Sequence, residues 1–285
     1  MSLLKTFTRI LFFALILFIA APRAGYADGG FPVRPGRLLI APSVSYFFAN
    51  SQWDTDGKKQ RFADNGKFSS VGTTLYAEFG ISRRFAAVAS VPLVFNRYTT
   101  ASNAPVTSSG LADLETGIRY YLANIDFIYY FSIQGTAITP LYSNNPSLGY
   151  GEEGAELKLA FSGTGHLGGL ATYFNAADGI RQYFGTNGPI QNRYNATFGL
   201  SLDSDYENQI SATLSGIYSQ SDDKSFSVIP ETNKDFSFLQ ASIGFGHSFS
   251  RETSLFLSGG RFITGRNTGI GTSVSLAFIY RLDYR

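Results

Sequence analysis

The sequence predicts an all-β protein: a transmembrane antiparallel β-barrel of about twelve strands behind a cleaved signal peptide. Three observations predict it. The chain opens with an export signal, apolar and polar residues then alternate with period two, and the connections between alternating segments are short and long by turns.

The export signal comes first. Lys5 and Arg9 precede an apolar run from Ile10 to Ala21, shorter than the roughly 20 apolar residues of a transmembrane helix. Gly25-Tyr26-Ala27 fits a signal peptidase site, with Asp28 as the new N-terminus. The expected division is therefore a signal peptide over 1–27, a short lead-in over 28–36 carrying Pro32 and Pro35, and a barrel over 37–285. An uncleaved anchor helix is the alternative. Cleavage removes Lys5, Arg9 and Arg23 and no acid, taking 23 basic and 21 acidic groups to 20 and 21. The mature chain is thus close to neutral, with no basic surplus to recruit nucleic acid.

Cysteine is absent, which excludes a disulfide framework and thiolate chemistry. Beyond the signal no apolar run can span a bilayer as a helix, so a membrane-embedded mature chain must close into a barrel. Composition agrees: 30 Gly, 26 Phe and 17 Tyr stand beside only 15% charged residues, and aromatics favour pleated, half-buried surfaces.

Strands are expected near 37–49, 68–82, 85–97, 110–122, 126–139, 154–162, 166–178, 192–203, 207–219, 235–249, 253–264 and 271–284. In Ser70–Ser82, for example, Val71, Thr73, Leu75, Ala77, Phe79 and Ile81 share one face, opposite Gly72, Thr74, Tyr76 and Glu78. Over Gly110–Leu122 one continuous strand sets Ala112, Leu114, Thr116 and Ile118 against Leu111, Asp113, Glu115 and Arg119. Only 253–264 lacks a clean parity.

Turns near Ser82–Arg84, Ala123–Ile125, Gly163–Gly165, Ser204–Tyr206 and Ser250–Glu252 are short. Segments 50–67, 98–109, 140–153, 179–191 and 220–234 are long and polar. Short turns at one end and long loops at the other mark outer-membrane barrels. The last strand carries Val274, Leu276, Phe278, Tyr280, Leu282 and Tyr284 on one parity, the aromatic-bearing end that outer-membrane assembly machinery reads, although Arg285 is terminal. Aromatic clusters at Tyr46–Phe48, Phe95 with Tyr98, Tyr120-Tyr121 and Tyr183-Phe184 are expected to form interfacial girdles. Ordinary core aromatics of a soluble sandwich are the alternative.

Catalysis finds little support. Neither His166 nor His247 heads a His-x-Ser pair, and His247 and Ser248 fall on opposite faces of a strand. Asp222-Asp223 lies in a loop with no histidine nearby in sequence, and Asp54, Asp56 and Gly57 lack the later ligands of a calcium loop. Two histidines without cysteine do not make a zinc site. No enzymatic activity, cofactor or metal is expected.

The inward face is where function is expected. Strand parity turns Glu78, Asp113, Glu115, Arg119, Glu156, Lys158 and Arg281 into the lumen, with Gln134, Gln209 and Gln240. An Arg or Lys facing lipid at mid-depth would cost roughly 2–4 kcal/mol. These charges either hold the wall together or form a polar constriction. Pro92 lies midway along its strand, where a missing ladder donor calls for a kink or bulge. It is either a tolerated irregularity or the edge of a lateral gap through which an apolar solute leaves.

Residues Ser109–Leu122 read SGLADLETGIRYYL. This resembles the Gly-x-Gly-Asp-Leu-x-x-Gly-x-(Lys/Arg)-Tyr signature of the outer-membrane transporters named after the meta-pathway of phenol degradation. Gly110, Asp113, Leu114, Gly117, Arg119 and Tyr120 match, and Ala112 replaces the second glycine. Ser90-Val91-Pro92-Leu93 resembles the strand before that motif, so the likeness covers about 35 residues, 85–122. The resemblance implies a distant kinship to hydrophobic-substrate uptake barrels of the fatty-acid transporter type. The combined expectation is a monomer in outer-membrane lipid that passes small solutes, aromatic or apolar ones among them. The alternative is a closed-lumen barrel that acts through its long extracellular loops.

Overall fold

The structure, a computed structural model, describes residues 30–284 apart from 144, 146, 186–187 and 226–232. The expected signal peptide over 1–27 lies outside the described residues. From residue 37 onward the chain runs in antiparallel hairpins: β1 (Arg37–Trp53), β2 (Lys59–Arg61), β3 (Lys67–Gly80), β4 (Phe85–Thr99), β5 (Val106–Leu111), β6 (Asp113–Ile125) and β7 (Tyr129–Pro140). It continues through β8 (Gly154–Leu167), β9 (Leu170–Tyr183), β10 (Ile190–Ser201), β11 (Asn208–Gln220), β12 (Phe236–Ser248), β13 (Thr253–Arg266) and β14 (Thr268–Asp283). Each strand pairs with its sequence neighbour, and β14 pairs with β1, which closes the barrel. Because β5 and β6 are one strand interrupted at Ala112, and β2 only extends a loop of β1, these elements make a twelve-stranded barrel.

Closure dictates the two faces. Val44, Leu75, Ile118, Leu157, Leu159, Phe198, Leu214, Ile243 and Leu276 are exposed on the outside, where lipid replaces water. Arg97, Asp178 and Arg261 also point outward, each within five residues of the loop end of its strand. Outward aromatics gather at both rims: Phe85 against Tyr120 at the turn end, centroids 4.8 Å apart, and Tyr46 against Phe48 at the loop end, 6.0 Å.

Several expected boundaries shift, each for a local reason. The β8–β9 turn is Gly168-Gly169, not Gly163–Gly165, because that pair adopts φ of +58° and +85° as a tight hairpin turn requires. Gly163 sits inside β8, where a Cβ would lie 2.4 Å from the Phe174 ring. The loop expected over 179–191 shrinks accordingly, and Arg181 and Tyr183 become strand residues. The β6–β7 turn moves to Asp126-Phe127, both at positive φ. In the 202–207 turn burial raises the Asp203 carboxyl. Donation from the Glu207 N–H, the Asn208 side chain and the Asn208 N–H outweighs that and holds it below the usual carboxylate range. One residue, Asn267 at φ +50°, joins β13 to β14.

Parity slips once. Leu93 pairs with Leu111 but Ser90 pairs with Glu115, so two residues of β4 face three of the next strand. The extra residue is a β-bulge at Ala112. It corrects the single strand expected over 110–122: Leu111 turns outward while Asp113, Glu115 and Arg119 turn inward.

If the Gly168-Gly169 turn fixes this hairpin, valine at both positions forces left-handed backbone at roughly 1–2 kcal/mol per residue. Urea unfolding in detergent should show a lower midpoint for the double variant, and an unchanged midpoint would assign the register to strand pairing alone.

Candidate functional site: a capped, charge-paired lumen

Inward side chains build two ionic clusters on the wall formed by β3 and β6–β10. In the first, Arg119 Nη1 donates to both oxygens of Glu78 at 3.0 and 3.2 Å. Its Nε donates to Gln134 at 3.0 Å and its Nη2 to the Tyr76 hydroxyl at 3.3 Å. Arg119 and Glu78 side chains are only 5% and 4% exposed, so each depends on the other for its charge to be tolerated.

In the second cluster Arg181 bridges two carboxylates, donating to Glu115 at 2.5 Å and to Glu156 at 2.8 Å. Arg193 donates to Glu156 at 3.1 Å. Asp113 is held by tyrosines: the Tyr142 hydroxyl donates to it at 3.0 Å and the Tyr183 hydroxyl at 3.4 Å. Lys158 lies between Gln134 and Gly179 on neighbouring strands and faces open lumen. Arg281 lies near the turn end of β14, two residues below Ile279 on the same face, and is 5% exposed. All seven charged residues assigned to the lumen from parity therefore point inward.

Two residues essential to the second cluster, Arg181 and Arg193, escaped the sequence reading. Arg181 lies in a segment whose polar composition resembles a loop, because Gly163–Gly165 resembles a hairpin turn five residues before the one that forms. Gly168-Gly169 was the signal that would have placed it.

Aromatic doublets divide between the faces, which corrects the girdle expectation. Tyr46 and Phe48 point out and Phe47 in; Phe95 points out and Tyr98 in; Tyr120 points out and Tyr121 in. Phe47 joins Phe68, Phe262 and Phe238 in an inward aromatic patch at the loop end, with centroids 6.0, 5.5 and 4.1 Å apart in turn. Gly271 makes this possible, since a Cβ there would lie inside the Phe47 ring.

Among the described residues, inner cavities of about 420 and 330 Å³ are both lined by Arg119, Lys158, Ala277 and Ile279. The rest of the larger one is mostly hydroxyl and amide, including Asn175, Asn195, Thr197 and Ser242. Each end of the lumen has a cover. At the turn end the lead-in runs across the mouth from β1, where Gly36 N–H donates to Gly80 O at 2.8 Å. It reaches the β7–β8 side, where Phe31 packs on Tyr130 and Gly30 N–H donates to Ser162. Midway, Val33 N–H donates to the Tyr121 hydroxyl, which lies 2.9 Å from Glu78. At the loop end the described residues of 141–153 lie across the mouth. Asn96 holds Ser147 at one side, and Tyr150 reaches Asn233 and Gln191 at the other.

The wall itself has a weak panel. Pro42 interrupts the β1–β14 ladder, which resumes only at Ser43 with Ala277 after Ile40 with Tyr280. Pro92 sits opposite the bulge, its carbonyl accepting from Ala112 N–H at 2.9 Å, while β4 itself runs unbroken. The break expected at Pro92 thus falls on the neighbouring strand. Pro42 pairs with Leu75, and Leu75 with Val91, so both prolines lie on nearly one row. An apolar groove on the outer face, lined by Pro42, Leu75, Val91, Leu111 and Phe278, backs onto the smaller inner cavity, and Ser43 and Thr74 line both.

Replacing Arg119 with Met leaves Glu78 buried without its cation, a loss of roughly 3–5 kcal/mol. Urea titration should show that loss for R119M and a smaller one for R119M with E78Q. Equal midpoints for R119M and the parent would mean Glu78 is not held by this pair.

No protein-family model matches the chain, and no curated protein matches it. Solved structures do. An outer membrane channel from Pseudomonas putida F1 superposes with TM-score 0.70 at 13% identity, over 91% of this chain and 100% of that one. The translocator domain of autotransporter NalP from Neisseria meningitidis gives 0.48 at 13% identity, over 86% and 88%. The monoaromatic hydrocarbon channel CymD gives 0.40 at 10%, over 88% and 90%. The chain has the fold of an outer-membrane β-barrel, and the Pseudomonas channel shares that fold over nearly its whole length.

Proposed function

We propose that the protein is a passive, monomeric outer-membrane channel for small solutes, aromatic or apolar ones among them, and not an enzyme. The carrying observation is the lumen: cavities that side chains do not fill, enclosed by two covers made of the chain's own segments. A wall built only for rigidity would pack those volumes with side chains, as the smallest barrels do. The Phe47–Phe68–Phe262–Phe238 patch at the outer end supports an aromatic or apolar solute, since ring faces bind rings by offset stacking. The panel between Pro42 and Pro92 supports a sideways exit into lipid, because apolar groove and inner cavity meet there through one layer of backbone.

Two experiments test the two parts. A Cβ at Gly80 would lie 2.1 Å from the Arg34 carbonyl, so Gly80→Leu should unseat the lead-in and raise single-channel conductance in planar bilayers. Conductance equal to the parent would remove the lead-in from control of flux. The chain contains no cysteine, so S43C with A277C, a directly paired couple, can be oxidised to lock the β1–β14 seam. Oxidation should slow uptake of an apolar ring such as toluene into vesicles and reduction should restore it. Uptake indifferent to the lock would leave only the axial path.

A further inference from the structure

We infer that the solute carries a negative charge, so that this channel takes an aromatic or apolar carboxylate; the inference rests on the channel reading above. It starts from an imbalance inside the barrel. Three lumen carboxylates are ion-paired, Glu78 with Arg119, Glu115 with Arg181, and Glu156 with Arg181 and Arg193, while the hydroxyls of Tyr142 and Tyr183 hold Asp113. Two cations are left over.

Lys158 is the first. It lines both cavities, and among the described residues its ammonium has no hydrogen bond or ion pair. Glu156, two positions along the same face, lies in its field but is held by two arginines. Across the strand Gly179 presents no side chain beside it, since a Cβ there would touch Lys158 Cβ at 3.2 Å. The ammonium therefore projects toward the cavity with three donors to offer.

Arg281 is the second, further down the path. Its Nη1 and Nη2 are buried and, among the described residues, have no hydrogen-bond partner. Two charged groups act on it from nearby, Arg37 and Glu252, and neither is hydrogen-bonded to it. Arg37 is paired with Asp283, and Glu252 accepts from Ser250. A guanidinium desolvated without a hydrogen-bonded counter-charge is costly to fold around, and a carboxylate is the group that matches its planar fork. Around Lys158 the cavity wall offers hydroxyls and amides, which donate to an anion as readily as they accept from a cation. Two cations without an ion pair outnumber Asp113, the one lumen carboxylate here that only hydroxyls hold, so an entering cation meets net repulsion. An anion with a ring fits the aromatic patch above and the ammonium below.

Benzoate, benzamide and benzamidine have nearly one shape and three charges, which makes them the probes. With full-length protein in vesicles, benzoate should enter fastest and benzamidine slowest, and a KCl gradient should give a reversal potential of the sign for anion preference. K158Q should remove the preference, K158R should retain it, and K158Q with R281Q should reverse the sign, all in barrels that keep heat-modifiable mobility. Equal rates for the three probes, or a preference that survives the double variant, would overturn the inference and leave the channel standing. Failure of all three to cross in well-folded protein would sink the channel reading and this inference with it.

Discussion

Everything in this structure follows from the need to satisfy backbone polar groups where no water reaches them. In hydrocarbon an unpaired N–H or C=O costs several kcal/mol, and the chain meets that constraint by pairing β14 with β1. Closure fixes the parity of every strand, and parity decides which side chains meet lipid. The charges at mid-height face inward, and the outward Arg97, Asp178 and Arg261 sit toward the loop end. Once inside, the carboxylates and arginines lie close enough to desolvate one another and must pair.

Those pairs are tied to the covers through tyrosines. Tyr121 contacts both Glu78 and the lead-in, while Tyr142 contacts Asp113 and receives the Gly151 N–H of the outer cover. Arg119 and Glu115, which belong to the two ionic clusters, both line the smaller cavity. A solute that perturbs either cluster thus acts on groups one hydrogen bond away from a cover. This arrangement lets a polar network serve both rigidity and passage, two roles that the sequence pattern alone leaves undivided.

Period-two alternation made the wall legible in the sequence, because burial on one face is the only way such strands can sit in lipid. What it missed came from places where backbone conformation, not side-chain polarity, sets the path. The alternation ran straight through Ala112, since an inserted residue changes parity without leaving a gap in the apolar pattern. Placing the turn at Gly163–Gly165 hid Arg181, and with it the bridge that joins Glu115 to Glu156. Adjacent aromatics were read as rim residues together, although neighbours on a strand cannot face the same way. The seven inward charges were legible one at a time. Their partners were not, because pairing depends on register across strands that lie far apart in sequence.

Charge balance is what separates a glued wall from a selective one. If the inward ions existed only to bind strands together, each would have a counter-ion, because a leftover charge weakens the wall it is meant to hold. Glu78, Glu115 and Glu156 satisfy that rule, while Lys158 and Arg281 do not and outnumber Asp113, which hydroxyls hold. Among the described residues Lys158 and Arg281 have no ion pair; Lys158 lines the cavities, and Arg281 lies two residues beyond Ile279, which lines them too. Two such positions on the path of a solute carry no benefit for strand cohesion. The compensation for them has to enter from outside, with the solute.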